Sequence, residues 1–299
     1  MSGRSVAAGR DRGIVYVAIG SRYRHEAALS ARSVRAFLPD IPTLLLCDER
    51  PDDGDAWDEI VLMPERQSTP HLDKIAGMMR SPFRDTLFLD TDTYVLGPLT
   101  GIFDLLGRFD MAMALDRSYR DVFPPDTGVP DIFCEYNQGV VAFRQSARMR
   151  AMFQQSLDWA ADFQARTGTA PTDQAAMRIA LYRSDLRIAT LPHEYNCRFH
   201  SYGALNGSVR ILHGRIPGTR QKPARLVTIA RKLNGKTVPR VFVAGRVHAL
   251  ARRRLRADDH YFPRRMAILF RPGRMLAKAR IKRLARALQG MLKPFRPGV

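Results

Sequence analysis

Two aspartates two positions apart, Asp90 and Asp92, close the apolar run Thr86-Leu87-Phe88-Leu89 and open onto Thr93 and Tyr94. On a continuing strand, residues i and i+2 project from one face. Where a strand turns into a loop, both carboxylates can converge on one point. Neighbouring carboxylates repel each other unless a cation or hydrogen-bond donors neutralise them. A divalent ion does so and can also bridge diphosphate oxygens. The spacing therefore predicts a cation site able to grip a diphosphate. A turn cap at Asp92 with Asp90 in solvent is the plain alternative.

The elements that must position this pair follow from hydrophobic periodicity. Ile14–Ile19 reads as a buried strand, Ala27–Leu38 as an amphipathic helix stopped by Pro39, and Thr43–Cys47 as a strand running into Asp48 and Glu49. Glu59–Met63, Thr86–Asp90, Asp110–Ala114 and Gly139–Phe143 read as further strands, and His71–Arg80 and Ala147–Arg166 as helices. Another helix is expected near Pro171-Thr172-Asp173, since Pro at the start and an acid in the first turn suit a helix N-terminus. Ile188–Leu191 and Val209–Leu212 are short apolar segments in a stretch rich in loops. Strands alternating with helices predict an α/β fold whose mostly parallel mixed sheet is flanked by helices. Ligands then bind outside the carboxyl ends of the strands, where Asp48 and Asp90 stand.

Composition narrows the class. The 299 residues, 45% hydrophobic and 26% charged, describe a folded chain with a large core. Cys47, Cys134 and Cys197 are sparse and far apart, which argues against a disulfide framework or a cysteine zinc site. No secretory signal and no spanning helix are expected, which predicts a cytoplasmic protein. The net charge of +19 is unevenly placed: Arg210–Val299 holds 25 Lys/Arg and two acids, whereas residues 1–209 sum to −4. A near-neutral body thus carries a cationic end, which is where an anionic partner would bind unless that end packs on the body with its basic side in solvent.

Five segments add to the aspartate pair: Ser81–Asp92, Tyr136-Asn137-Gln138-Gly139-Val140, Asp173-Gln174, Leu191-Pro192 with Tyr195-Asn196, and Ile211-Leu212-His213. In these motifs and their order, from about Ile14 to His213, the sequence resembles the GT-A-fold nucleotide-sugar glycosyltransferases. The nearest resemblance is to the retaining enzymes of glycosyltransferase family 8 and their bacterial lipopolysaccharide and capsule relatives. It implies that Asp90, Asp92 and His213 hold Mn²⁺ or Mg²⁺, with His71, His193 and His200 as substitutes for the histidine. It implies donor contacts along Val17, Ala18, Lys74, Asp90, Thr91, Asp92, Arg215 and Lys222, with base and ribose over Val17–Gly20 and Asp48. Asn137 would line the sugar side of the cleft beside Gly139, which permits close backbone approach. Asp173 and Gln174 would position the sugar or stabilise an oxocarbenium ion.

The family's closing Gly-x-x-Lys-Pro-Trp signature is not reproduced, since Gly214 is followed by a longer gap and Lys222-Pro223 without Trp. Arg215, Arg220 and Lys222 all remain candidates to neutralise the leaving diphosphate, and Lys74 and Arg80 to meet the nucleotide. The resemblance implies transfer of a sugar, with net retention, from a UDP-sugar to a hydroxyl of a carbohydrate or lipid-linked envelope glycan. Attack from the front face is favoured, because no carboxylate stands out as a double-displacement nucleophile.

The expected division is a catalytic domain over residues 1–245 and a basic amphipathic helical region over 246–299. In the latter, Ala277, Ile281, Leu284, Leu288, Met291 and Phe295 form one apolar stripe among Lys and Arg. That pattern suits an anionic membrane surface, here the cytoplasmic face of the inner membrane, better than nucleic acid. Three other readings compete. A haloacid-dehalogenase-type phosphatase usually has Thr or Val where Tyr94 stands. A sugar-nucleotide nucleotidyltransferase usually shows a glycine-rich loop where Gly20-Ser21-Arg22 stands. A non-catalytic membrane- or anion-binding GT-A relative would not need both Asp90 and Asp92.

Overall fold

The computed structural model describes residues 10–52, 54–116, 128–216, 222–235, 239–243 and 246–249. The chain begins with β1 (Arg10–Ala18), α1 (Ser21–Arg35), β2 (Thr43–Cys47), β3 (Glu59–Leu62), α2 (Pro70–Met79) and β4 (Phe83–Leu89). There follow β5 (Thr93–Val95), α3 (Thr100–Leu105), β6 (Met111–Leu115), β7 (Tyr136–Arg144), α4 (Ala147–Thr167), α5 (Asp173–Tyr182) and β8 (Ile188–Leu191). The last part holds β9 (Cys197–Arg198), β10 (Tyr202–Leu205), β11 (Ile211–His213), α6 (Pro223–Asn234), β12 (Arg240–Val243) and β13 (Arg246–Ala249).

The main sheet has the order β3-β2-β1-β4-β7-β6-β8. Within it only β7 runs against its neighbours, β4 and β6. Helices cover both faces, which is why its strands read as unbroken apolar runs. Ile14, Tyr16, Leu87 and Leu89 pack with Ala27, Ala28 and Ala31 of α1 and with Ile102 and Phe103 of α3. The alternate residues Val15, Val17 and Phe88 pack with Leu72 and Ile75 of α2, Met152 and Phe153 of α4, and Met177 of α5. Each such large side chain taken wholly out of water contributes about 1.5–3 kcal/mol.

Most expected elements are present, with shifted ends. Helix α1 begins six residues before the expected Ala27, directly after Gly20, whose φ of 96° turns the chain out of β1. Its first turn, Ser21-Arg22-Tyr23-Arg24, is polar and hides the periodicity. Thr69, Ser146 and Thr172 cap α2, α4 and α5 by accepting from the amides of Leu72, Met149 and Ala175. Pro171 therefore lies ahead of the cap rather than inside α5.

Two small sheets sit beside the main one, in the orders β5-β11-β9 and β10-β12-β13. In the first, antiparallel pairing sets His213 opposite Thr93, so a residue from late in the chain arrives beside the aspartate pair. In the second, Arg246–Ala249 is a strand paired with β12. This corrects the helical reading of these four residues, because antiparallel pairing supplies backbone partners that a helix start would have had to find locally. Together with α6 these strands form the basic C-terminal region. The stripe from Ala277 to Phe295 lies outside the described residues.

Candidate metal and diphosphate site

Strand β4 delivers Asp90 to the sheet's edge, where the Asp90 amide donates to the Gly139 carbonyl of β7 at 2.9 Å. The Asp90 carbonyl accepts from Thr93 N at 3.1 Å and from Thr93 Oγ1 at 2.8 Å, closing a turn over Asp90–Thr93. Within that turn Asp90 and Asp92 point the same way. His213 Nε2 lies 3.6 Å from Asp90 Oδ2 and 3.5 Å from Asp92 Oδ1. One ligand atom from each of the three falls within 4.8 Å of the others.

The imidazole is held from behind. Its Nδ1 is 2.8 Å from Asn196 Oδ1, while Asn196 Nδ2 donates to Asn137 Oδ1 at 2.8 Å. The amide oxygen therefore faces the ring and accepts from Nδ1–H, which leaves Nε2 for the carboxylates. Gly139 gives the ring its room, since a Cβ there would stand 2.1 Å from His213 Cε1. Burial disfavours the imidazolium, but Asp92 and Asp90 outweigh it and push the His213 pKa up to about 9. Burial also works against the Asp92 carboxylate, and His213 and Arg215 reverse this and hold it well below the usual range. Two carboxylates and one imidazole nitrogen, converging on one point, form a donor set that suits a divalent cation such as Mn²⁺.

Two further cations flank the cluster. Lys74 of α2 lies 3.2 Å from Asp90 Oδ1 and 2.6 Å from Asp173 Oδ2. Burial alone would lower its pKa, and Asp173 and Asp90 raise it instead. Arg215 Nη1 lies 3.1 Å from Asp92 Oδ2, Nη2 donates to Thr91 Oγ1 at 3.1 Å, and Nε donates to Glu26 Oε2 at 2.9 Å. Its guanidinium also stands over the Tyr23 ring. Two connected cavities open here. One of about 150 Å³ is lined by Val17, Ile19, Tyr23, His71 and Thr91, and one of about 380 Å³ by Asn137, Asp173, Gln174, Arg198 and His200. Both share Lys74, Asp90 and Arg215.

This fold matches solved structures. Galactosyltransferase LgtC, in complex with donor and acceptor sugar analogues, superposes with a TM-score of 0.51 at 15% identity over 74% of this chain and 96% of LgtC. The chain has the GT-A fold. An active-site mutant of LgtC gives a TM-score of 0.51 at 16% identity, over 73% and 94% of the two chains. The glycosyltransferase GlyE of Streptococcus pneumoniae TIGR4 gives 0.44 at 17% identity, over 64% of this chain and 48% of GlyE. No family model matches the sequence, and no curated protein matches it.

Within the GT-A frame, the expected site residues separate by position. Asp90, Asp92, His213, Lys74, Thr91, Arg215, Asn137, Asp173, Gln174 and Val17 all line the cleft or its cluster. The side chain of Ala18 does not, because strand alternation turns it into the core under α1. Arg80 caps the far end of α2 and donates to Glu65 at 2.9 Å. Lys222 is the exposed residue ahead of α6, and Arg220 lies outside the described residues. Among the substitute histidines, His71 and His200 line the cleft, while His193 borders a separate groove with Leu115, Tyr202 and Val243. Asp48, at the end of β2, accepts from Gly20 N at 3.0 Å and from Arg24 Nη1 at 2.5 Å.

Sequence reasoning missed Glu26, Tyr23, Asp116 and Arg198. Asp116 accepts from Asn137 Nδ2 at 2.9 Å and from Arg198 Nη1 at 2.7 Å, so a half-buried ion pair anchors the amide network behind His213. Asp116 directly follows an apolar strand, as Asp90 does, and that was the signal available. Nothing local marks Arg198 or Glu26.

Proposed function

We propose that this chain is a metal-dependent glycosyltransferase that moves a sugar from a nucleoside diphosphate sugar, UDP-linked, to a hydroxyl of a glycan acceptor with retention. The observation that carries this reading is the convergence of Asp90, Asp92 and His213 at the carboxyl end of β4, flanked by Lys74 and Arg215. A cation held by the three ligands would neutralise the donor's diphosphate as negative charge grows on the leaving group.

The chain's own groups account for the rest. Arg215 presents a planar, permanently charged donor array toward the same space and is oriented before any substrate arrives. Lys74 outweighs burial to hold the Asp90 carboxyl below its usual range, pairs with Asp173, and adds a second positive charge on the opposite side. Val17, Ile19 and Tyr23 offer apolar surface for the base, with Asp48 beyond them for the ribose. Asn137, Asp173 and Gln174 line the larger cavity, where they would orient the sugar and stabilise positive charge at its anomeric carbon. The acceptor hydroxyl would attack from the face the diphosphate leaves, its proton passing to the departing phosphate oxygen. An envelope glycan is the proposed acceptor. The cationic C-terminal region would hold the enzyme to an anionic membrane surface on its cytoplasmic side, where each basic residue adds about 1 kcal/mol.

The test is hydrolysis of a panel of nucleotide sugars in Mn²⁺, repeated after chelation and with Asp92→Asn. Turnover that needs Mn²⁺ and disappears in the variant is expected. Equal turnover in the variant would remove the assigned role of the cluster.

A further inference from the structure

Helix α1 carries a buried polar stripe that its apolar surroundings do not call for. Glu26, Ser30 and Ser33 stand at i, i+4 and i+7 and are 4%, 0% and 8% exposed, among Ala27, Ala31 and Val34 of the core. A carboxylate and two hydroxyls on such a face are costly unless each meets a partner. Apart from Tyr16, which meets Ser30, and Arg22 of the same helix, whose Nε donates to Glu26 Oε1 at 3.1 Å, their side-chain partners belong to the candidate site or to the segment that carries it.

Ser30 works from behind the aspartate turn. Tyr16 OH is 2.9 Å from Ser30 Oγ, Ser30 Oγ is 2.7 Å from Thr93 Oγ1, and Thr93 Oγ1 donates to the Asp90 carbonyl at 2.8 Å. The last acceptor fixes the direction of the whole chain. Thr93 uses its only proton on the carbonyl, so Ser30 donates to Thr93 and Tyr16 donates to Ser30. Ser33 Oγ accepts from Val95 N at 2.9 Å and donates to the Ser30 carbonyl at 2.6 Å, which ties β5 to the same helix. Glu26 works from the open side. Its Oε2 accepts from Arg215 Nε at 2.9 Å, while the other guanidinium nitrogens reach Asp92 and Thr91.

We propose that Ser30 and Glu26, one turn apart on α1, are positioning residues of the site: Ser30 fixes the turn that aims Asp90 and Asp92, and Glu26 aims the Arg215 guanidinium. The inference rests on the metal and diphosphate reading of that site. It assigns the two residues to different ligands. Loss of Ser30 loosens the metal pair itself. Loss of Glu26 leaves the pair in place and frees the cation that meets the phosphates.

The experiment measures Mn²⁺ binding to the full chain by electron paramagnetic resonance, and UDP binding in saturating Mn²⁺ by calorimetry. Ser30→Ala is expected to bind Mn²⁺ about 10-fold more weakly, as groups supporting metal ligands usually do. Glu26→Ala is expected to keep the wild-type Mn²⁺ affinity and bind UDP about 10-fold more weakly, with Glu26→Gln recovering most of the loss because an acceptor for Arg215 Nε remains. Should Ser30→Ala not fold, Tyr16→Phe removes only the terminal donor at nearly constant volume and should weaken Mn²⁺ about 3-fold. Wild-type Mn²⁺ affinity in the serine or tyrosine variant, or unchanged or tighter UDP binding in Glu26→Ala, overturns the inference alone. A wild-type chain that binds no Mn²⁺ overturns the site reading and this inference with it.

Discussion

Asp92 is claimed from two sides, by His213 Nε2 at 3.5 Å and by Arg215 Nη1 at 3.1 Å, and it is almost fully buried. Asp92→Asn keeps the shape and removes the charge, so Mn²⁺-dependent hydrolysis of the donor should fall at least about 100-fold. The same cluster makes the metal-free protein sensitive to pH. The His213 pKa is raised from 6.5 to about 9 by its carboxylate neighbours, so the imidazolium stabilises the folded chain fully below about pH 6.5. That stabilisation is lost as pH rises through about 9. The melting temperature of the chelated protein should therefore fall over this interval. Because Mn²⁺ must displace the same proton, its affinity should rise with pH up to about 9, read by titration in several buffers. A His213→Gln chain that kept the alkaline fall would place its origin elsewhere.

At the scale of elements, the site depends on two strands that approach more closely than side chains would normally allow. Strand β7 passes under the His213 ring at Gly139, where an added Cβ would lie 2.1 Å from Cε1 and 2.7 Å from both ring nitrogens. The strand is central, and at Gly139 its carbonyl accepts from Asp90 N and its amide donates to Asn137 Oδ1, so it cannot retreat. Gly139→Ala should expel the imidazole and weaken Mn²⁺ by more than about 10-fold, with the fold retained by circular dichroism. Helix α2 sets Lys74 by packing close to β1, where a Cβ at Gly77 would meet Val17 Cγ2 at 2.3 Å. Gly77→Ala should push the helix outward and lower stability by about 1–3 kcal/mol in urea denaturation.

At the scale of the whole molecule, the C-terminal part is held to the body by polar contacts as much as by its small apolar cluster. Arg240 is completely buried and donates to the carbonyls of Leu233 and Gly207, joining α6, β12 and the loop before β11. Burial pulls its pKa down, with Glu194 opposing that, so the guanidinium is kept by its acceptors rather than by solvent. Arg240→Met strands those carbonyls and should destabilise this region by about 3 kcal/mol. For the cationic end, cutting the chain after Asp259 should abolish sedimentation with anionic vesicles and leave donor hydrolysis intact. Equal sedimentation of the cut chain would dispose of the membrane proposal.

By itself the sequence determined what is local and periodic. The apolar runs of β1, β2, β4 and β7 fixed the strands. Apolar periodicity placed α2 and α4, and Pro171 with Asp173 placed α5, within a residue or two. The aspartates after β4 pointed to a candidate cation site, since side chains at i and i+2 of a strand end can converge on one point. The start of α1 was obscured by its basic first turn, and β5, α3, β10, α6, β12 and β13 went unread. Several of those are short elements whose stability comes from partners far along the chain. Which of three cations meets the cluster was also beyond the sequence, because Arg215, Arg220 and Lys222 look alike until the fold brings Arg215 to Asp92. The buried polar stripe of α1 was equally silent: Glu26 and Ser30 are ordinary helix residues until β4, β5 and β11 are folded against them, and only then do their hydrogen bonds have partners.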